Sequence, residues 1–162
     1  MKAGKISYPG VSVAAGGVLG ILGVFMTWFS FSYVVGGQGF SVELSGLHDW
    51  SGSVAMIAGF GAFGFGAAYV LLDDPQIRRI TSILMSVSAA FLLFMPIVGL
   101  MRVGSVADVP GASTGFGAGL TLSFVGGVVA VVGSFLASRE KDAVEAAPAA
   151  AAESEPEAAT TA

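Results

Sequence analysis

Four stretches of this chain, residues 11–29, 52–72, 80–101 and 116–137, contain no Asp, Glu, His, Lys or Arg. Each is close to the roughly 20 apolar residues a helix needs to cross a hydrocarbon layer about 30 Å thick. Backbone inside lipid must satisfy its own hydrogen bonds, and a helix does this within one segment. The expected fold class is therefore an all-α membrane protein, a four-transmembrane-helix bundle. Composition agrees: 54% of the 162 residues are hydrophobic and 11% are charged, whereas soluble domains carry about 25% charged residues. The length suits one helical domain over 1–137 and a disordered acidic Ala/Glu/Pro tail over 138–162, on the cytoplasmic side, which lacks the large apolar residues a core requires.

The segments between the runs are punctuated. Lys2 and Lys5 precede the first run, which ends in Phe25-Met-Thr-Trp-Phe29 rather than in small residues, so it reads as a retained span and not a cleaved signal. Asp73-Asp74-Pro75 stops the second span, because proline cannot continue a helix and pushes the preceding residue out of helical geometry. Pro96 lies inside the third span and predicts a kink, with looser packing toward its outer end. Residues 102–114 read as a poorly ordered polar loop with a turn at Pro110-Gly111. Residues 28–50 are the one long polar and aromatic interruption. There Phe31, Tyr33, Val34 and Val35 face Phe40, Val42 and Leu44 across Gly36-Gly37-Gln38-Gly39, which predicts a short extracytoplasmic β-hairpin or, equally, a one-turn extension of the first helix.

Basic residues give an orientation, since cytoplasmic flanks are enriched in Lys and Arg. Lys2, Lys5, Arg78, Arg79, Arg139 and Lys141 fall on one side and only Arg102 on the other. Both termini are expected in the cytoplasm and both longer loops outside. Trp28 and Trp50 then stand at the outer boundary as interface anchors, with Tyr33 beside them and Tyr8 and Tyr69 near the inner one. The net charge of −4 comes from the tail, where six acids meet two bases; the remainder holds five of each, which leaves no field to attract nucleic acid.

Lipid tails are as apolar as leucine, so helices in a bilayer associate by close backbone approach through small residues. The first span carries Gly16, Gly20 and Gly23 in a row that runs from Ser12 to Thr27 and Ser30. The second carries Ala55, Gly59, Ala62 and Gly66, and the fourth Gly119, Ser123, Gly126 and Ala130. Steps of three and four keep each set on one helical face. In the third span such a row, Ser82, Ser86 and Ala89, covers only the first half.

Chemistry has few residues to work with. Ionisable groups at mid-membrane usually mark ion and proton pathways, and the four runs have none. The chain has no cysteine, which removes disulfides, thiolate metal sites and Cys nucleophiles. Glu43, His48 and Asp49 form the one group of metal-ligand types, but their spacing matches no standard zinc pattern, and Asp49 or Ser51 suits the cap of the second span. Gly59-Phe-Gly61-Ala-Phe-Gly64 has G-x-G-x-x-G spacing inside a span, without the preceding strand a dinucleotide site needs. No catalytic residue, cofactor or resident metal is assigned.

Phe25-x-x-Trp28 closing a Gly-rich first span, followed by Ser45-Gly46-Leu47-x-x-Trp50 before a second oily span, resembles a widespread type of small prokaryotic four-span membrane protein over about residues 10–72. The resemblance implies a four-span topology and no activity. Trp28 with Gly46-Leu47 and Trp50 is also similar to the outer-loop signature of claudin-like proteins. It departs from that signature in the two residues before Trp50, the shorter loop and the missing cysteine pair, so no junction-forming role is carried over. The expected role is a non-enzymatic structural or accessory subunit of a prokaryotic cytoplasmic membrane, in contact with the lipid bilayer and with copies of itself or a larger membrane complex. The rival expectations are a small oligomeric transporter or channel for a neutral solute, and an extracytoplasmic sensor or metal-binding protein.

Overall fold

The computed structural model describes residues 7–72, 74–104 and 112–153. Lys2, Lys5, Asp73, the Pro110-Gly111 turn and residues 154–162 of the tail lie outside the described residues. The element order is α1 (Tyr8–Phe25), β1 (Thr27–Val35), β2 (Gln38–Ser45), a 3-10 turn (Gly46–His48), α2 (Trp50–Leu71), α3 (Pro75–Gly104), β3 (Ala112–Phe116) and α4 (Ala118–Glu153). The described residues are mostly helical and include four helices long and apolar enough to cross a membrane. The fold differs from a purely helical one by a three-stranded antiparallel sheet in the order β2-β1-β3.

The first helix ends at Phe25, short of the expected 29, and Trp28 and Phe29 belong to β1. The run of aromatic and β-branched residues from Trp28 to Val35 favours a pleated strand once a partner strand exists. The partner follows directly, because Gly36 (φ 60°) and Gly37 (φ 82°) form a two-residue turn with positive φ at both central positions, whose twist matches paired strands. Val35 pairs with Gln38, Tyr33 with Phe40 and Phe31 with Val42. Of the two readings left open for this segment, the hairpin is the one adopted. β3 departs from the expected pattern: residues 112–114 belong to the expected polar loop and Phe116 to the start of the expected fourth span, yet all of 112–116 pair with β1 from Tyr33 back to Phe29. Ala-Ser-Thr-Gly-Phe has little strand character of its own and takes the conformation from the ladder β1 offers.

Residues 138–153, expected as disordered tail, continue α4 to Glu153. Alanine, glutamate, lysine and arginine are strong helix formers, so a helix already nucleated inside the bundle propagates through residues 139–147; its continuation past Pro148 has no explanation in composition. At the other sharp boundary, Asp74 caps α3: its Oδ1 accepts from the N–H groups of Gln76 (2.8 Å) and Ile77 (3.1 Å), with Pro75 in the first helical position.

The helices form a ring in which α1 meets α2 and α4, and α3 closes the far side. Contact is backbone to backbone. A Cβ on Gly16 would lie 2.5 Å from the Gly126 carbonyl oxygen, and one on Gly126 would lie 2.6 Å from that of Gly16. Gly23 and Gly119 oppose each other about two turns further along, and the Ser123 hydroxyl donates to the Gly20 carbonyl at 3.3 Å. α1 has a second small face toward α2, where Gly17 meets the Gly59 carbonyl and Gly10 meets Gly66. Between α1, α3 and α4, the Leu92 side chain fills the hollow at Gly20, and Gly127 rests on the backbone of Leu93. The outer half of α3 is therefore not loose. Leu92, Pro96, Gly99 and Val103 continue its buried face to the end, with Pro96 held inside the helix.

Large apolar side chains lie outside. Leu22, Ile57, Phe60, Phe94, Val132 and Phe135 are each more than half exposed, whereas the buried set is dominated by Gly, Ala and Ser with Val13, Met85 and Leu92 among them. This reverses the arrangement of a soluble bundle, which buries its large apolar residues.

Candidate functional site

The end of the bundle that carries the sheet is the only place where chemistry-bearing side chains gather among the described residues outside the helix ends near Arg78 and Arg139. It is built around Trp28. The indole is fully buried, and its Nε1–H donates to the Gly23 carbonyl at 3.0 Å. That carbonyl belongs to the last turn of α1 and also accepts from Met26 N–H at 3.2 Å, so an end that would otherwise leave a bare acceptor is satisfied. Gly46 lies flat against the indole, where a Cβ would approach Cε2 to 2.6 Å. Phe29 meets Trp28 edge to face at 6.2 Å and Phe116 at 6.4 Å. Around Gly99 of α3, Trp28, Phe29 and Ser51 each stand 3.4 Å from the place a Cβ would take. One side chain thus joins α1, the sheet, the 3-10 turn and α3.

This placement corrects the expectation for Trp28. A ring with no exposed surface and a satisfied N–H has no part left to meet a headgroup layer, so Trp28 is a packing residue and not an interface anchor. Trp50 is about half exposed, with the Arg102 guanidinium 5.4 Å from its ring centroid. At the opposite end Tyr8 is largely exposed, while Tyr69 is buried beneath the guanidinium of Arg78 at 4.5 Å.

Glu43, His48 and Asp49 do not converge. Glu43 accepts a hydrogen bond from the Thr27 hydroxyl at 3.0 Å, and His48 Nδ1 is 3.1 Å from the Ser45 hydroxyl. Asp49 precedes α2, accepts from the Ser51 hydroxyl and faces Arg102 at 3.5 Å. Each has its own neighbour on a different element, and among the described residues no three His, Asp or Glu side chains are grouped as metal ligands. The Asp49, Ser51, Arg102 and Trp50 group instead ties the start of α2 to the end of α3. Arg102, read from sequence only as the lone outer base, is the member of this group that residue spacing gave no means to find.

The expected helix-packing residues stand where neighbouring backbones meet. Gly16, Gly20 and Gly23 oppose Gly119, Ser123, Gly126 and Ala130, while Gly59 and Gly66 oppose α1, and Ala55 and Ala62 are fully buried. Gly17 and Gly10 lie on a second face of α1, apart from the row of Gly16, Gly20 and Gly23. Their signal is present in sequence as a second row, Gly10, Ala14 and Gly17, at the same spacing.

On the outer surface, Val11, Ala14, Ala15, Val18, Phe63, Ala67, Val70 and Leu71 line a shallow groove between α1 and α2 that is wholly apolar. Comparison with protein-family models and with curated protein sequences finds no match to this chain.

Proposed function

We propose that this chain is a multi-pass integral protein of a cell membrane that acts without enzymatic activity as a structural or accessory subunit, packed against copies of itself or a larger membrane partner. The observation that carries the membrane reading is the reversal of side-chain size: backbone-to-backbone glycine contacts inside, and large apolar side chains exposed around the ring. Glycine contacts are how helices associate where the surroundings are as oily as the side chains. The sheet end is placed outside and both termini in the cytoplasm, in line with the excess of Lys and Arg at the other end.

The accessory role is favoured over a solute path by what fills the centre. Leu92 occupies the hollow at Gly20, Ile21 and the Gly17 carbonyl stand against Gly59, and Met85, Ala89 and Val13 complete an uncharged interior. The separate ties of Glu43, His48 and Asp49 likewise favour it over a metal sensor. Reconstitution into liposomes tests it: no flux of ions or small neutral solutes above protein-free vesicles is expected, and a protein-dependent flux overturns the reading. Orientation is tested separately in intact cells with an impermeant thiol reagent, which should label Ser41→Cys and leave Ser154→Cys untouched.

A further inference from the structure

The hairpin register determines which peptide groups of β2 are already used. A two-residue turn makes Val35 and Gln38 a hydrogen-bonded pair, and the same character recurs at Tyr33 with Phe40, Phe31 with Val42 and Phe29 with Leu44. The peptide groups of Gln38, Phe40, Val42 and Leu44 therefore point at β1. Those of Gly39, Ser41 and Glu43 point the other way. Among the described residues no strand lies there, because β2 is the edge of the sheet. By the same alternation the even-numbered residues of β1 bond toward β3, and the Trp28 carbonyl accepts from Gly117 N–H at 2.8 Å.

Sheet edges that must stay unpaired are blunted by shortness, proline, lysine or a bulge. The opposite edge, β3, has five residues. β2 has eight, with no proline or lysine, and is exposed from Gln38 through Glu43. Its single charge, Glu43, is turned back to accept from Thr27 on β1. The irregularity in the pairing falls between Thr27 and Phe29, near the base of the hairpin, and leaves the outer part of β2 regular.

We propose that the free edge of β2 is a strand-addition site whose occupant is an extended segment of a partner polypeptide, hydrogen-bonded to Gly39, Ser41 and Glu43. The proposal rests on the accessory-subunit reading and gives it a contact surface. Side-chain alternation states the chemistry of the occupant. Phe40 and Val42 are 46% and 44% exposed and share the face on which Phe29 and Phe31 reach the core, so the occupant carries apolar or β-branched residues beside them. On the other face it carries small polar residues beside Ser41 and a Lys or Arg beside Glu43, since residues 27–47 hold one carboxylate and no Lys or Arg.

The test uses full-length protein in lipid nanodiscs and a synthetic octapeptide of alternating Val and Thr with one Lys, read by amide hydrogen exchange. The peptide should slow exchange at Gly39, Ser41 and Glu43 at least about tenfold and leave Phe40 and Val42, already bonded to β1, unchanged. The same peptide methylated on the amide nitrogens that face β2 should protect nothing. Ser41→Pro, which removes a donor only at the open edge, should abolish the effect and keep Phe40 and Val42 protected. Absence of protection by the parent peptide, or equal protection by the methylated one, overturns the proposal whatever Ser41→Pro does. Protection of Gly39, Ser41 and Glu43 without peptide that grows with protein concentration also overturns it, because the occupant would then be a second copy. Each of these failures leaves the accessory reading standing, since that reading fails only on vesicle flux.

Discussion

Between Gly16 and Gly126 two helix backbones touch with no side chain between them, whereas at the sheet end, beyond Gly23, the space is filled by the largest side chain the chain possesses. The two regions hold together by different physics. In the bundle, the surroundings proposed here are lipid, burial of a large apolar side chain gains nothing over leaving it outside, and contact comes from dispersion between close backbones. On the same proposal the chain leaves the oily zone at the sheet end. There a buried indole gains from exclusion of water, its N–H must find a partner, and the partner is the carbonyl that the end of α1 leaves over. Tryptophan at the end of a span is thus legible as a boundary, but whether it faces headgroups or the protein depends on what packs over it. Here Gly46 and Gly99 make the room.

The largest effect should come from the region with the large side chain. Trp28→Ala is expected to cost about 3–5 kcal/mol, read as a lowered unfolding midpoint in mixed micelles, whereas Trp50→Ala, at an exposed ring facing Arg102, should cost about 1 kcal/mol or less. Equal losses for the two would remove the distinction between them. In the bundle, Gly126→Leu should cost about 1–3 kcal/mol or more by forcing α1 and α4 apart. Gly64→Leu, on the same kind of helix but with nothing within 4 Å of its Cβ position, should stay within about 0.5 kcal/mol of the parent. A smaller, local loss of about 1–2 kcal/mol follows for Gly36→Val, whose left-handed backbone a β-branched residue resists. Hydrogen exchange should show it in β1 and β2 and not in α2 or α4. Ser123→Ala, which removes one hydrogen bond between α1 and α4, should cost about 0.6 kcal/mol.

How far sequence reached follows the same division. Helix existence and the small-residue rows were legible because they depend on period and composition, which are local. The end of α1 falls four residues earlier than expected because Trp28 and Phe29 are as apolar as the helix before them, and only the pairing of Phe29 with Leu44 and Phe116 and the bond from Gly117 N–H to the Trp28 carbonyl make them strand. β3 was invisible for a stronger reason: Ala-Ser-Thr-Gly-Phe has no pattern until β1 supplies a ladder. At the start of α2, Asp49 and Ser51 each suit a cap by position, but the Asp49 side chain makes no cap bond and accepts from the Ser51 hydroxyl instead, while Arg102 stands 53 residues from Asp49 in the chain and needs the fold to arrive. The open edge of β2 was equally out of reach, since it depends on knowing that β3 sits on the other side.

A bundle that meets lipid with its large side chains must present Phe60, Phe94 and Val128 to hydrocarbon. The chain has no cysteine, so single cysteines at Phe60, Phe94 and Val128 can each carry a spin label in a bilayer without background. Collision with oxygen, which concentrates in hydrocarbon, should be high at all three and collision with a water-soluble nickel chelate low, with the reverse at Ser41. Nickel accessibility at Phe60, Phe94 and Val128 matching that at Ser41 would contradict the account.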